Sequence, residues 1–376
     1  LIVFTTLCFI FVVSLCTVIR LNFYTFTQQI MKYTKLPHTD IKVSKICLGT
    51  MTWGNQNTQE EGFEQMDYAL EQGVNFFDTA ELYAVPATAD TYGSTETIIG
   101  NWFAKTGNRD KVVLASKICG PGPYTAHIRE NGFAKEAIID AVEGSLKRLQ
   151  TDYIDLFQLH WPERGVNTFG LRDYPYKTSR KEAENHVEIL ETLHSLIKQG
   201  KIRQVGLSNE TPWGTMQYLQ TAKELNLPRM ITMQNSYSLV HRGYEVGMSE
   251  VSMRENIGLL AYSPLAQGVL TGKYLRGQKP ADARGILFPN YILRYQSDLV
   301  QEAVLKYEAI AKNAGISLTE LSLAYINQLP FVTANIIGAT KMSQLKENIG
   351  SINIDLSEEV LKEIEAVHHL IPNPAP

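Results

Sequence analysis

The chain has 376 residues, of which 44% are hydrophobic and 20% are charged, values typical of a globular protein with enough apolar side chains for a full core. Its formal net charge is -4 with both signs mixed along the chain, so no basic surface suited to a nucleic acid is predicted. The four cysteines lie far apart without a CxxC pair, which argues against a disulfide framework or a zinc site and favours a reducing compartment, the cytoplasm.

The first 30 residues differ from the rest of the chain. Residues 1–19 carry no charge and have roughly the length of a membrane-spanning helix, about 20 residues. The sequence opens with Leu, lacks the positive start of a signal peptide, and places Met31 directly before a polar strand pattern. We therefore expect residues 1–30 to be an extension from a mis-set start codon, with a membrane anchor through residues 1–19 as the alternative. The folded domain is expected at residues 31–376.

From Ile46 onward, short apolar or β-branched runs alternate with amphipathic helical stretches, a pattern typical of parallel strands joined by crossover helices. One such helix is predicted over residues 133–149, and a hairpin over residues 33–44 is expected to plug the floor of the barrel. The sequence predicts an α/β fold, a single (β/α)8 TIM barrel with an N-terminal β-hairpin and extra C-terminal helices. The eight predicted strands are residues 46–49, 75–78, 112–117, 154–160, 204–208, 231–235, 258–262 and 335–338.

An open doubly wound sheet is the alternative arrangement of such units. Its phosphate-binding loop would follow the first strand as GxGxxG, but residues 49–54 read Gly-Thr-Met-Thr-Trp-Gly. Three connections, at residues 163–184, 270–296 and 298–328, are longer than the usual limit of about 15 residues. We expect them to provide lids or binding loops around one barrel.

Three polar residues end apolar strands that are neighbours in the predicted barrel. Asp78, Lys117 and His160 would converge at the C-terminal ends of the strands, where barrel enzymes have their active sites. Tyr83 follows Asp78 by five residues and can fold back over the same mouth. A phenol has a pKa of about 10 and becomes a ready acid near neutral pH only if a neighbouring cation stabilises its phenolate. Lys117 would be that cation, and Asp78 would hold it in place. His160 would orient a carbonyl, so the set predicts proton delivery during reduction by a nicotinamide hydride.

The chain resembles the aldo-keto reductases over residues 31–376, in particular their Tas-type NADP(H)-dependent members. The resemblance implies that Asp78, Tyr83, Lys117 and His160 are the catalytic tetrad, with Tyr83 as the general acid. It is carried in order by LGTMTWG (48–54), FFDTAELY (76–83), ASK (115–117), SLKRLQTDYIDLFQLHWP (145–162), GKIRQVGLSNE (200–210), QNSYSL (234–239), AYSPLAQGVLTGKY (261–274) and IIGATKMSQLKENI (336–349).

The same resemblance implies an extended NADPH across the barrel mouth. It assigns Ser208, Asn209 and Gln234 to the nicotinamide carboxamide and Tyr262 to stacking on its ring. The phosphate-facing and adenosine-facing residues follow, with Lys341 as the positive charge that favours NADP over NAD. These remaining cofactor-binding candidates are Thr50, Ser263, Leu265, Lys273, Arg284, Gly338, Thr340, Lys341, Gln344, Glu347 and Asn348.

The substrate is expected to be a small molecule, an aldehyde, ketone or quinone-like ring. Trp53, Trp161 and Tyr83 suggest an aromatic-lined pocket, and the insert at residues 163–184, with Phe169, Tyr174 and Tyr176, is expected to form one wall.

Two other functions are weighed against the reductase. Barrels resembling potassium-channel β subunits bind NADPH while acting mainly as partners, but those subunits carry a different residue where His160 stands. A metal-dependent hydrolase would need several ligands at the strand ends. Only Asp78 and His160 are available, and Lys117 between them opposes a cation, so no metal is predicted.

Overall fold

Residues 31–176 and 185–376 are described by the computed structural model, and their eight parallel strands close into a barrel. The last strand of the barrel pairs with the first, Asn335 beside Ile46, which confirms a (β/α)8 barrel over an open sheet. The predictions made for residues 1–30 lie outside the described residues. The barrel strands are β3 (Ile46–Gly49), β4 (Phe76–Asp78), β5 (Val113–Ile118), β6 (Ile154–Leu159), β7 (Ile202–Ser208), β8 (Met230–Ser236), β9 (Gly258–Tyr262) and β10 (Val332–Ile337).

The predicted N-terminal hairpin is present as β1 (Tyr33–Lys35) and β2 (Lys42–Ser44), paired antiparallel. Leu36 and Val43 of the hairpin are fully buried in one cluster with Phe76 and other barrel residues. The backbone N–H of Ser44 donates to the side chain of Asn75, just before β4. The hairpin therefore covers the N-terminal end of the barrel and leaves the opposite end open.

The described helices pack outside the barrel because each carries an apolar stripe. In the helix predicted at residues 133–149, which runs from Lys135 to Leu149, the buried side chains include Ile138, Val142 and Leu146 at helical spacing. The helices are α1 (Gln59–Glu71), α2 (Ser94–Thr106), α3 (Lys135–Leu149), α4 (His186–Lys198), α5 (Pro212–Leu225), α6 (Met248–Glu255), α7 (Arg284–Leu287), α8 (Asp298–Asn313), α9 (Leu318–Gln328), α10 (Met342–Gly350) and α11 (Glu358–Leu370).

Two of the long connections pass over the open end of the barrel. Residues 163–176 are irregular, and most of residues 266–295 form short helical turns, Ala266–Thr271, Leu275–Gly277, α7 and Pro289–Tyr295. The third connection is the helix pair α8 and α9. None of the helices within the described ranges has both the length and the apolar character needed to cross a bilayer.

The last barrel strand differs from its prediction, residues 335–338. It begins at Val332, which pairs with Leu259, and the register shifts before Ala334 pairs with Leu260. The irregularity falls at polar Thr333, which interrupts the apolar run that sequence reading relies on. A Cβ on Gly258 would lie 1.8 Å from the Thr333 hydroxyl, so only glycine fits opposite this residue.

Candidate active site

A cavity of about 1540 Å³ lies at the C-terminal ends of the strands. Strand register brings the predicted polar residues to this end, because Asp78 pairs with Gly49 and Ala115, and Lys117 pairs with Gln158. Asp78, Tyr83 and His160 line the cavity, whereas Lys117 is fully buried behind it. The three residues predicted at strand ends and Tyr83 of the following loop therefore meet in one place.

The Asp78 carboxylate is the centre of a buried hydrogen-bond network. Lys117 Nζ donates to its Oδ2 at 2.7 Å and to the carbonyl oxygen of Thr79 at 2.7 Å. Gln234 Nε2 donates to Oδ1 at 2.8 Å, and the Thr50 hydroxyl donates to the Asp78 carbonyl at 2.9 Å. Burial lowers the pKa of Lys117, but Asp78 and Tyr83 outweigh it and hold that pKa above its usual range. The lysine is therefore a fixed cation.

Tyr83 lies between this cation and His160. The Lys117 ammonium is 5.0 Å from the centre of the Tyr83 ring, and the His160 ring meets Tyr83 edge to face at 5.8 Å. Burial raises the pKa of Tyr83, and Asp78 adds to this, while Lys117 opposes it; the net direction is upward. Lys117 thus acts on the phenol in the expected direction, and burial outweighs it. The consequence is that Tyr83 keeps its proton at neutral pH.

His160 is uncharged at neutral pH. Burial, and then the nearby Lys117, lower its pKa well below the ordinary value of 6.5. Its Nδ1 is enclosed and has no hydrogen-bond partner among the described residues. The ring packs against Trp161 at 4.9 Å, and Trp161 Nε1 donates to the carbonyl oxygen of Pro121 at 3.1 Å. Trp161 therefore fixes the imidazole from the cavity wall.

The loop that carries Tyr83 is held by an ion pair that the sequence analysis missed. Glu81 is fully buried and accepts two hydrogen bonds from Arg129, a residue of the loop after β5. It also accepts from the backbone N–H of Cys119 at 2.7 Å, two residues after Lys117. Burial, with Glu81 close by, raises the pKa of the Cys119 thiol, which therefore stays protonated. The signal in the sequence that could have predicted this ion pair is Glu81 itself, a second carboxylate within the mostly apolar run FFDTAELY (76–83).

A second polar network stands beside the tetrad. The Ser208 hydroxyl donates to the Gln234 carbonyl at 2.8 Å, and Asn209 Nδ2 donates to the His160 carbonyl at 2.9 Å. The Tyr262 hydroxyl donates to Asn209 Oδ1 at 2.6 Å, and burial raises the pKa of Tyr262 to about 12. Asn209 adopts a left-handed backbone, φ 53°, which Asn tolerates better than most residues. Ser208, Asn209, Gln234 and Tyr262 all line the cavity.

The far part of the cavity carries the positive charges. Burial, and after it the positive charges of Arg284 and Lys341, lower the pKa of Lys273. Burial also lowers the pKa of Arg284. Lys341 Nζ lies 2.5 Å from Asp282 Oδ2, and both side chains are 59% exposed. The other predicted cofactor residues that line this cavity are Thr50, Ser263, Leu265, Gly338, Thr340, Gln344, Glu347 and Asn348.

The aromatic residues predicted for the substrate pocket divide into two groups. Trp161 and Phe169 line the cavity, with their rings 5.9 Å apart. Trp53 does not: it is fully buried, its indole packs where Gly62 leaves room, and Nε1 donates to Gln65 at 3.3 Å. The prediction for Trp53 is therefore wrong, because its loop turns the ring toward the helical layer. Tyr174 and Tyr176 are exposed outside the cavity, and residues 177–184 of the insert lie outside the described residues.

Metal ligation is a separate question from nicotinamide binding. Across residues 31–176 and 185–376, no three His, Cys, Asp or Glu side chains come together as a metal site requires.

Comparison with known proteins agrees with the fold. The model of the aldo/keto reductase family matches residues 45–369. The chain is 47% identical to protein tas of Escherichia coli over 348 residues, 92% of this chain and all of that protein. It is 38% identical to an aldo-keto reductase of Babesia bovis, over 69% of this chain and 96% of the relative. It is 32% identical to a probable voltage-gated potassium channel subunit beta of rice, over 90% and 96% respectively. The chain belongs to the aldo/keto reductase family, whose members are oxidoreductases that use nicotinamide cofactors on small molecules.

Proposed function

We propose that this protein uses NADPH to reduce the carbonyl group of an aldehyde, a ketone or a quinone-like ring, with Tyr83 as the proton donor. The observation that carries the proposal is the convergence of Tyr83 and His160 on one cavity, in front of the buried Lys117–Asp78 pair. A carbonyl that becomes an alkoxide needs a proton at its oxygen, and Tyr83 is placed to donate that proton with Lys117 and Asp78 behind it.

The proton starts on Tyr83, because burial raises its pKa and keeps the phenol protonated at neutral pH. When the proton leaves, the phenolate that remains is stabilised by Lys117, whose ammonium lies 5.0 Å from the ring centre. Asp78 and Thr79 keep that ammonium in place through two hydrogen bonds of 2.7 Å. His160 is neutral and serves as a hydrogen-bonding group that orients the carbonyl oxygen.

The cavity fits a dinucleotide in size and in charge. Its volume of about 1540 Å³ exceeds the upper range of about 1,000 Å³ for ordinary small-molecule pockets. Arg284 lines the cavity, and its guanidinium has no carboxylate or carbonyl partner among the described residues. Burial lowers its pKa because the charged form is disfavoured there, and phosphate oxygens would compensate this charge. Bound nicotinamide supplies the hydride for reduction.

We assign the holding roles as follows. Ser208, Asn209 and Gln234 hold the carboxamide, and Tyr262 stacks on the ring. Lys341 meets the 2'-phosphate, which favours NADPH over NADH. The pyrophosphate and adenosine are held by Ser263, Leu265, Lys273, Arg284, Thr340, Gln344, Glu347 and Asn348, with Thr50 and Gly338 on the cavity wall.

A second candidate is an NADPH-binding regulatory subunit, since a relative at 32% identity is described as a probable potassium channel subunit. The presence of His160 beside Tyr83 favours the enzyme, because a binding role alone requires no proton donor or carbonyl-orienting group.

The test is NADPH oxidation with a panel of aromatic aldehydes and quinones, comparing the wild type with Tyr83→Phe. The variant keeps the ring but has no proton to give, so kcat should fall by about 100- to 10,000-fold while the Kd for NADPH stays unchanged. Turnover retained in the variant would refute the assignment of Tyr83. Tight NADPH binding by a wild type that reduces none of the panel would favour the regulatory subunit.

A further inference from the structure

Two arginines of the cavity differ from the other arginines of the described residues. The others donate to carboxylate or carbonyl oxygens, whereas Arg284 and Arg294 have no such partner within residues 31–176 and 185–376. Arg284 belongs to the positive group near Lys273, assigned above to cofactor phosphates. Arg294 has no role in that assignment.

Arg294 stands at the aromatic side of the cavity, near the tetrad. A Cβ on Gly170 would lie 3.5 Å from Cδ of Arg294, so the arginine side chain runs along the backbone next to Phe169. Phe169 contacts Trp161, and Trp161 contacts His160, with ring centres 5.9 and 4.9 Å apart. Contacts therefore lead from Arg294 to the imidazole that faces the reacting carbonyl.

The guanidinium of Arg294 is held in place but not neutralised. It lies 4.8 Å from the ring centre of Tyr295, a nearly fully buried side chain. The cavity carboxylates at Asp78 and Asp282 are engaged by Lys117 and Lys341. Glu347 accepts a hydrogen bond from Ser317. Glu163 accepts a hydrogen bond from the backbone N–H of Phe133. An arginine fork that pairs with no carboxylate of the described residues is suited to a planar anion, because guanidinium and carboxylate pair through two parallel hydrogen bonds.

We propose that the substrate is a carbonyl compound that also carries a carboxylate, and that Arg294 binds this carboxylate. The inference rests on the reductase function proposed above and specifies its substrate class. The rings of Trp161 and Phe169 extend along the cavity wall from His160 to the backbone beside Arg294, so an aromatic or other apolar spacer joins the two polar ends of the substrate. In the reaction NADPH gives the carbonyl carbon one hydride, which carries both electrons, and becomes NADP⁺; the carbonyl oxygen takes the proton of Tyr83, which solvent replaces, and the carboxylate is unchanged.

The experiment compares para-carboxybenzaldehyde with its methyl ester, which has the same ring and aldehyde but no charge. Wild type should prefer the acid by about 10- to 100-fold in kcat/KM, the range expected for hydrogen bonds to a charged group. Arg294→Gln should remove this preference, mainly through KM for the acid, and leave the ester and the Kd for NADPH unchanged. Arg254→Gln makes the same change at an exposed position of α6, where Arg254 pairs with Glu250, and should preserve the preference.

Equal kcat/KM values for acid and ester in the wild type would overturn the inference, as would a preference that survives in Arg294→Gln. A loss of NADPH affinity in Arg294→Gln would reassign the residue to the cofactor and also overturn it. If the wild type reduces neither compound, the panel of aldehydes and quinones decides whether the reductase proposal fails as well. Calorimetric titration of the NADP⁺ complex with para-carboxybenzaldehyde then decides the inference: binding that Arg294→Gln abolishes supports it, and equal binding by both proteins refutes it.

Discussion

Replacing Lys117 by Met should destabilise the protein far more than an ordinary lysine substitution. The ammonium is fully buried and gives two hydrogen bonds of 2.7 Å, to the Asp78 carboxylate and to the Thr79 carbonyl. Its removal leaves a buried carboxylate with Gln234 as a remaining side-chain donor, at 2.8 Å. Breaking a buried ion pair by removing one partner costs about 3–5 kcal/mol. Lys306→Met is a matched control, because Lys306 is 39% exposed and pairs with Glu302 at 3.5 Å; it should cost at most about 0.5 kcal/mol.

The double variant Asp78→Asn/Lys117→Met separates the uncompensated charge from the loss of packing. Asparagine has nearly the same volume as aspartate and no charge, so the double variant should be more stable than Lys117→Met by about 2 kcal/mol. Urea unfolding followed by tryptophan fluorescence gives these differences. Both variants should lose about 100-fold or more of the reductase activity, because Tyr83 loses its cation. A double variant no more stable than Lys117→Met would refute the reasoning.

Two further predictions concern a buried histidine and the cofactor charge. Burial, followed by Arg294, lowers the pKa of His241 from 6.5 to about 4, so its contribution to stability is complete above pH 6.5, and about 3 kcal/mol is lost progressively as the pH falls from 6.5 to 4. His241→Gln should flatten the acid limb of the free energy of unfolding, whereas the same change at exposed His369 should not; an unchanged limb would contradict this. Lys341→Gln should weaken NADPH binding about 3- to 10-fold, and Asp282→Asn, which frees Lys341, should strengthen it. In fluorescence titrations neither change should alter the Kd for NADH, and equal effects on both cofactors would remove Lys341 from the 2'-phosphate.

The barrel and the meeting of Asp78, Lys117 and His160 at one of its ends were predictable because both depend on patterns along the chain. Strand runs that end in Asp78, Lys117 and His160 place these residues at one end of neighbouring strands, and the register of the barrel confirms that they meet. The position of Trp53 was not predictable in the same way. An indole in a loop after a strand can turn toward the cavity or toward the helices, and the choice depends on the space at Gly62, a residue of another element.

The pairing of charged side chains was equally beyond the sequence. Arg129 and Arg294 look alike in the chain, yet Arg129 meets the buried Glu81, whereas Arg294 reaches the cavity without a carboxylate. Whether an arginine meets a carboxylate depends on which loops pack against each other in the folded chain, and the local periodicity of the sequence does not predict that packing. The direction of the pKa of Tyr83 depends on the same kind of information, because it results from burial set against one cation.

Burial and the charge of Lys117 shift the pKa of Tyr83 in opposite directions, and in the proton transfer proposed above they act at different stages. Lys117 by itself lowers the pKa of Tyr83, and an ionised phenol has no proton to give. Burial keeps the phenol protonated, and the cation stabilises the phenolate only after the proton has left. The hydrogen bonds of Lys117 to Asp78 and Thr79 hold the ammonium beside the ring through both stages, so no charged group has to move during the transfer.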